Sequence, residues 1–188
     1  RRFTSFQVFL GQRDKSAPFC YWLDSSDPHR PYNKGSGAAS GMRLDKIRLF
    51  KCFPDAPEVR SDVADYYFEV QRFDALVGSA VKLLAAVGEL DNTIIMMISD
   101  NGASPEGGVD GTLNENDFFN NITTDIKANL AAIDTLGGPD NYNHYAWGWA
   151  NAGNTPFKRW KKETFRGGTS DPFVVSWPAK IDASGELR

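Results

Sequence analysis

The chain is poor in cysteine and histidine, with two of each among 188 residues, and it lacks long apolar runs. None of its apolar runs approaches the roughly 20 residues that a membrane-spanning helix needs, so no membrane span is expected. The formal net charge of -3 and the pI near 5.4 provide no net positive field, which argues against nucleic-acid binding. The first residues carry no signal peptide, and no internal repeat or low-complexity tract occurs.

The two cysteines do not reveal the redox compartment of the protein. Cys20 lies within an apolar run, where a buried free thiol is expected. Pairing with Cys52 depends on whether the fold brings the two side chains together. The length suits one domain with a substantial core. Because the chain begins without Met and ends abruptly at Arg188, we expect it to be a piece of a longer protein.

The clearest element is a long helix between Glu58 and Val87. Pro57 lies near its start, Asp55 is a candidate N-cap, and Gly88 is expected to end it. Its apolar residues are spaced three or four apart and form one helix face: Val59, Val63, Tyr66, Val70, Phe73, Val77, Val81 and Leu84.

Apolar runs at 18–23 and 93–98 flank this helix and show no alternation, as in strands buried on both faces of a parallel sheet. Strand, helix and strand form a βαβ unit, so the predicted fold class is α/β, a parallel-type sheet covered by helices. The other expected elements are the end of an amphipathic helix at 3–12, a surface loop at 24–57, a long excursion at 103–155 containing a helix at about 116–136, and a last strand at 173–177.

Two polar clusters follow the predicted strands, where open α/β sheets bind ligands. One is 27–31 and the other is Ser99-Asp100-Asn101-Gly102. Asp100 and Asn101 offer a carboxylate and an amide oxygen, which suit Ca²⁺ or Mg²⁺. A hairpin turn is disfavoured because residues 103–108 cannot form a return strand. From the residues alone, a metal corner and a plain loop both stay open.

Three other polar features have both structural and functional interpretations. His29 fits an anion contact, a proton donor or a surface loop histidine. The basic stretch 158–162 fits a solvated face, a nucleic-acid contact or a site for a small oxyanion. His144 lies in an aromatic-rich loop that fits packing or the rim of a substrate cleft.

The ordered set of motifs resembles the type I sulfatases, both arylsulfatase and heparan N-sulfatase-like, of the alkaline-phosphatase-like superfamily. The motifs that carry the resemblance span nearly the whole chain: Asp27-Pro28-His29-Arg30-Pro31, Asp65-Tyr66-Tyr67, Phe73-Asp74-Ala75-Leu76-Val77-Gly78, Asp91-Asn92-Thr93, Ser99-Asp100-Asn101-Gly102, Asn154-Thr155-Pro156-Phe157-Lys158-Arg159-Trp160-Lys161, Gly167-Gly168 and Pro172-Phe173-Val174-Val175-Ser176-Trp177-Pro178.

The resemblance implies a role for each matching residue. Asp100 and Asn101 match the second pair of calcium ligands of the family, with Ca²⁺ expected rather than Mg²⁺. His29 matches the histidine that contacts the sulfate group near the leaving oxygen, and Lys161 matches the sulfate-binding lysine. A cation and a lysine around one tetrahedral anion provide the charge stabilisation that sulfuryl transfer requires.

The chain also departs from the family pattern. The formylglycine motif, Cys or Ser followed by x-Pro/Ala-x-Arg, is absent, and so is the first pair of aspartate ligands. We therefore expect residues 1–188 to be the later part of a catalytic domain, inactive alone, with a long insertion at about 103–155. Arg166 replaces the usual Glu, and 169–171 differ from the usual Ile-Arg-Val. Residues up to about 102 look like the glycan sulfatases and those from 103 like arylsulfatases, so divergence and a mosaic sequence are both open.

The implied function is calcium-dependent hydrolysis of a sulfate ester or sulfamate, by a sulfuric ester hydrolase whose nucleophile lies outside this chain. The expected substrate is a sulfated small molecule or glycan, and the resemblance favours a secreted, periplasmic or lysosome-like compartment. A phosphoesterase of the same superfamily would need a Zn²⁺ or Mn²⁺ pair with several histidines, and the chain has two. A non-catalytic fragment that binds a sulfated glycan is the other alternative.

Overall fold

The structure is a computed structural model that describes residues 4–182 and Gly185. Residue 3 of the predicted first helix lies outside these residues. The helices and strands are, in chain order, α1 (Phe6–Gln12), α2 (Ser36–Ala39), α3 (Pro57–Ala86), β1 (Ile95–Ile98), α4 (Asn116–Phe119), α5 (Ile126–Ala131), α6 (Trp147–Asn154), α7 (Arg166–Thr169) and β2 (Phe173–Ser176). Short 3-10 turns lie between α2 and α3, at Leu44–Lys46, and between α5 and α6, at Ile133–Thr135.

The long helix α3 confirms the strongest sequence prediction within one residue at each end. Pro57 starts it, as expected for a residue whose missing N–H has no acceptor in the first turn. Asp55 does not cap the helix but forms an ion pair with Arg60, 2.6 Å apart. Gly88, with φ of 73°, ends it. Glu89 N–H donates to the Leu84 carbonyl, and Gly88 N–H to that of Ala85, which is the Schellman arrangement.

Helix α2 is fixed against α3 by a buried carboxylate. Asp65 accepts hydrogen bonds from the backbone N–H groups of Gly35 and Gly37, at 2.9 and 2.8 Å. A Cβ on Gly37 would lie 2.4 Å from the Ala64 backbone, so the close approach of α2 to α3 requires glycine there. The loop predicted at 24–57 therefore contains a short helix that is held by α3.

The apolar core of the first half lies between α1 and the end of α3. Phe9, Leu10 and Leu84 are buried together. Further apolar side chains pack around them from α1, from α3, from the segments that follow these two helices, and from β1: Phe6, Phe19, Tyr21, Leu83, Leu90 and Ile95.

The prediction of a parallel sheet is not met by the strands that the structure describes. β1 and β2 form a two-stranded sheet and pair antiparallel, with Ile95 opposite Ser176 and Ile98 opposite Phe173. The chain between them reverses direction through irregular segments and short helices instead of a helical crossover, so it returns alongside β1 in the opposite sense. Mixed helix and sheet remain consistent with an α/β fold.

The predicted first strand at 18–23 is not a strand in the structure. Phe19 and Tyr21 pack on the core, whereas Trp22 is 83% exposed. A strand requires a hydrogen-bonded neighbour, and none of the described residues provides one. Cys20 was predicted to be buried but is exposed, and both cysteines are free.

The excursion at 103–155 is built from short pieces. The single helix predicted at about 116–136 is divided into α4, α5 and a 3-10 turn. Asn121 adopts φ of 54° between them, a left-handed backbone that interrupts a helix.

Within the part of the chain that the structure describes, none of the helices has the length and apolar character of a membrane span.

Replacing Asp65 with Ala should lower the free energy of unfolding by about 2 kcal/mol, because the buried Gly37 N–H and the partly buried Gly35 N–H lose their acceptor. Asp74→Ala, at an exposed position of the same helix, is the matched control and should change it little. Urea denaturation followed by circular dichroism measures both. Equal stability of the two variants would contradict the role of Asp65 in holding α2 against α3.

Candidate active site and metal-binding residues

Asp100 and Asn101 lie where β1 ends, as predicted. The Asn101 side-chain amide donates to Asp100 Oδ1 at 3.2 Å. The antiparallel register continues for one more hydrogen bond, from Ser99 N–H to the Pro172 carbonyl at 3.2 Å. This register brings Asp171 beside Asp100, and burial together with the Asp100 charge raises the pKa of Asp171. Oxygen groups therefore collect at this corner.

The loop after β1 is held against the later part of the chain by close backbone contacts. A Cβ on Gly102 would lie 1.8 Å from the Gly167 carbonyl oxygen, so only glycine fits. Ala103 N–H donates to Asn154 Oδ1 at 3.0 Å, and the Ala103 carbonyl accepts from Lys161 N–H at 3.1 Å. The Gly167 motif thus determines where the Asp100 loop sits.

Lys161 points into a partly buried polar cluster. Its Nζ lies 3.3 Å from Ser104 Oγ and 3.2 Å from Glu106 Oε1, while Lys162 Nζ lies 3.7 Å from the same oxygen. The Glu106 side chain is fully enclosed. Burial would raise the pKa of Glu106, but the Ser104 hydroxyl, its own backbone N–H and Lys161 outweigh that effect and lower it. Glu106 therefore stays ionised beside Lys161.

His29 and His144 lie side by side, with ring centroids 5.4 Å apart. Glu115 Oε2 is 3.9 Å from His29 Nε2. Burial lowers the pKa of His144 to about 4, so its imidazole is neutral at pH 7. Burial also raises the pKa of Glu115, against the attraction of His29. His144, predicted as packing or as the rim of a cleft, is a buried member of a polar cluster.

The loop that carries His29 is anchored to two helices. Arg30 forms an ion pair with Asp62 of α3, and Trp149 of α6 donates its indole N–H to Asp62 at 2.6 Å. The Arg30 guanidinium lies over the ring of Tyr145, 5.4 Å from its centroid. The excursion at 103–155 thus helps to position His29.

The structure brings the predicted residues into two neighbouring groups. His29 and His144 lie beside Glu115, whose pKa also responds to Lys161, whereas Asp100 and Asn101 form the corner at the end of β1. A cavity of about 2410 Å³ is lined by residues of both groups, although Lys161 is not among them. Among the described residues, no hydrogen bond or ion pair joins Asp100 or Asn101 to His29 or Lys161.

Sequence reasoning missed three acidic residues that the structure places here: Glu106, Glu115 and Asp171. The two glutamates lie in the Gly- and Asn-rich excursion, where an acidic residue is normally solvated. Asp171 lies two residues before β2, and its place opposite Asp100 follows only from the antiparallel register.

Comparison with known proteins identifies the family to which this arrangement belongs. The sulfatase family model matches residues 3–186. The chain therefore belongs to the sulfatase family, whose members generally use a metal, and the resemblance inferred from the sequence motifs is confirmed.

Two curated relatives give the extent of the similarity. The chain is 29% identical to an arylsulfatase of Klebsiella aerogenes over an alignment 211 positions long, gaps included, which covers 90% of this chain and 44% of that protein. It is also 29% identical to an uncharacterized sulfatase of Schizosaccharomyces pombe over 119 residues, or 62% of this chain and 20% of that protein. The chain thus spans less than half the length of these relatives.

Gly102→Ala should destabilise the protein by about 2 kcal/mol or more, because the added Cβ forces the Asp100 loop away from Gly167. Gly78→Ala is the matched control, since a Cβ there meets no atom within 4 Å and Ala is preferred to Gly inside a helix. Thermal unfolding distinguishes the two, and a Gly102→Ala variant as stable as the control would contradict the close packing.

Proposed function

We propose that this chain is the later part of the catalytic domain of a calcium-dependent sulfuric ester hydrolase. The observation that carries the proposal is the sulfatase match across residues 3–186. The cavity that His29, His144, Asp100 and Asn101 all line supports it. The substrate is a sulfated small molecule or glycan. The nucleophile, a formylglycine, is provided from outside these residues, and the site is expected in a secreted, periplasmic or lysosome-like compartment.

The corner at the end of β1 fits a hard divalent cation. Asp100 and Asn101 provide oxygen donors without nitrogen or sulfur, as Ca²⁺ prefers. Burial raises the pKa of Asp171, and the charge of Asp100 beside it raises that pKa further. A cation bound there would relieve the repulsion between the two carboxylates. When bound there, a cation would stabilise the negative charge on the sulfate group. Asp100 and Asn101 would hold it.

Lys161 is proposed to bind the sulfate group by charge. Its contact with the enclosed Glu106 carboxylate, 3.2 Å away, restricts the ammonium to one position. An ammonium that is already fixed needs little reorganisation as negative charge develops on the sulfate oxygens. Ser104, 3.3 Å from the same ammonium, supports this position from a second side.

His29 is proposed to contact the sulfate group near the leaving oxygen, as a proton donor or an anion contact. Its Nδ1 lies 2.6 Å from the Arg30 carbonyl oxygen. Because a carbonyl oxygen only accepts, Nδ1 carries the proton in the neutral ring. In that neutral ring Nε2 carries a lone pair, so only the protonated imidazolium, with a second N–H on Nε2, can donate to a sulfate oxygen or to the leaving oxygen.

Asp100→Ala should abolish metal-dependent hydrolysis of an aryl sulfate by the longest protein form that its gene encodes, with kcat/KM falling at least roughly a hundredfold. Added calcium should raise the melting temperature of the wild-type protein but not that of the variant. Asp110→Ala, at an exposed aspartate, is the control. Unchanged activity in Asp100→Ala would rule out the assignment, and zinc or manganese found by metal analysis at the Asp100 corner would favour a phosphoesterase.

Lys161→Ala should lower kcat/KM for the same aryl sulfate by roughly a hundredfold or more, because a fixed positive charge is lost from the reacting group. Lys162→Ala should have a much smaller effect, since the Lys162 ammonium lies over the Phe118 ring, 4.1 Å from its centroid. Steady-state kinetics on both variants decide which lysine binds sulfate. Equal losses would contradict the assignment to Lys161.

A further inference from the structure

The cluster contains three side chains, two imidazoles and one carboxylate, whose possible metal-ligand atoms lie close together. One ligand atom each of His29, Glu115 and His144 lies within 4.8 Å of the others. His29 Nε2 and Glu115 Oε2 are 3.9 Å apart, which is too far for a direct hydrogen bond. The three atoms therefore lie close to one another, and within the described part of the chain no hydrogen bond joins them.

The buried members of this group lack partners that their polar atoms require. Glu115 is 7% exposed and His144 is 3% exposed. Within the described part of the chain, Glu115 Oε2 and His144 Nε2 have no hydrogen-bond partner. A buried polar atom left unpaired costs about 1–3 kcal/mol, so a ligand that satisfies both atoms at once would stabilise the fold.

Both imidazoles are oriented by the same kind of contact. His29 Nδ1 lies 2.6 Å from the Arg30 carbonyl oxygen, and His144 Nδ1 lies 3.4 Å from that of Tyr145. A proton on each Nδ1 leaves the Nε2 lone pairs directed into the cluster. Histidines that bind metals are held in the same manner, with the second ring nitrogen donating to a carbonyl or carboxylate.

We propose that His29, Glu115 and His144 bind a transition-metal ion of the Zn²⁺ class, separately from the oxygen corner at Asp100. Two imidazole nitrogens and one carboxylate favour such an ion over Ca²⁺ or Mg²⁺. Bonds of about 2.0–2.2 Å place tetrahedral ligands about 3.4 Å apart. The ligand atoms, which lie within 4.8 Å of one another, would have to close by up to about 1.4 Å to reach that separation. His29 is the exposed member of the group and therefore the side chain with room to move.

Occupation of this site would engage the Nε2 atom of His29. In the proposed function the same atom contacts the sulfate group, and only the consequence that follows rests on that function. Zn²⁺ would then inhibit hydrolysis, and removing it with a chelator would restore activity. The binding of the metal itself does not depend on whether the protein hydrolyses sulfate esters.

The test is a titration of the chelator-stripped protein, in its longest encoded form, with Zn²⁺ in the presence of excess Ca²⁺. Isothermal calorimetry should give one Zn²⁺ per chain at this site. Glu115→Gln and His144→Ala should each weaken Zn²⁺ binding at least about tenfold. Even the loss of a residue that only hydrogen-bonds to a metal ligand typically weakens metal binding that much. Co²⁺ should give visible absorption bands in the wild-type protein that are lost in both variants.

Two controls separate this site from other effects. Glu58→Gln makes the same change at an exposed carboxylate of α3 and should bind Zn²⁺ as the wild type does. Asp100→Asn should also retain Zn²⁺, since it alters only the oxygen corner. Glu115→Gln preserves side-chain size, so it tests the site even where His144→Ala fails to fold.

Wild-type protein that binds no Zn²⁺ beside Ca²⁺, or Glu115→Gln that binds it with wild-type affinity, would overturn the proposal. The proposed function fails in a different way, through absence of aryl sulfate hydrolysis by a folded, calcium-loaded protein. Zn²⁺ bound by such an inactive protein and lost in Glu115→Gln would leave the metal site established and the sulfatase activity refuted.

Discussion

The Glu106 carboxylate is enclosed by protein, and in the described part of the chain the charges within ion-pair distance of it are the ammonium groups of Lys161 and Lys162. Removing one member of a buried ion pair typically costs about 3–5 kcal/mol, although the partial exposure of both lysines reduces that figure here. The contact links the loop after β1 to the basic turn before Gly167. The Asp100 corner and Lys161 therefore occupy fixed positions relative to each other.

The excursion at 103–155 contributes buried polar and charged side chains as well as length. Glu115 and His144 come from it, and both face His29 across the cluster. The two histidines of the chain, far apart in the sequence, thus meet at one point. A polar cluster of this kind is stable only when its members are paired or hold a ligand, which is why its unpaired atoms point to chemistry rather than to packing.

The two-stranded sheet, unlike the polar cluster, exposes large apolar side chains. Met96, Ile98, Phe173 and Val174 are more than half exposed on the two strands. Apolar surface of this extent is normally covered in a folded protein. Residues 93–98, which include β1, were predicted to be buried on both faces because their sequence is continuously apolar, whereas alternate residues of β1 are exposed. The chain covers 44% of the arylsulfatase that it matches.

Patterns confined to a short stretch of sequence were read correctly. The three- and four-residue spacing of apolar side chains, with Pro57 and Gly88, located α3, because helix formation and its ends depend on neighbouring residues. Two of the three segments predicted as strands, 93–98 and 173–177, contain β1 and β2. The motif order identified the family, and Asp100 and Asn101 lie at a strand end as predicted.

Pairings between distant residues could not be read in this way. The antiparallel direction of β2, the absence of a strand at 18–23 and the breaks in the predicted helix at 116–136 depend on neighbours that sequence periodicity does not specify. Only the tertiary structure placed Asp171 opposite Asp100, enclosed Glu106 beside Lys161 and brought Glu115 to the two histidines. The sequence by itself determined the long helix, the strands and the sulfatase motifs, since these rest on local spacing. The tertiary structure decided which charges are buried together, since burial arises from contacts between segments far apart in the chain.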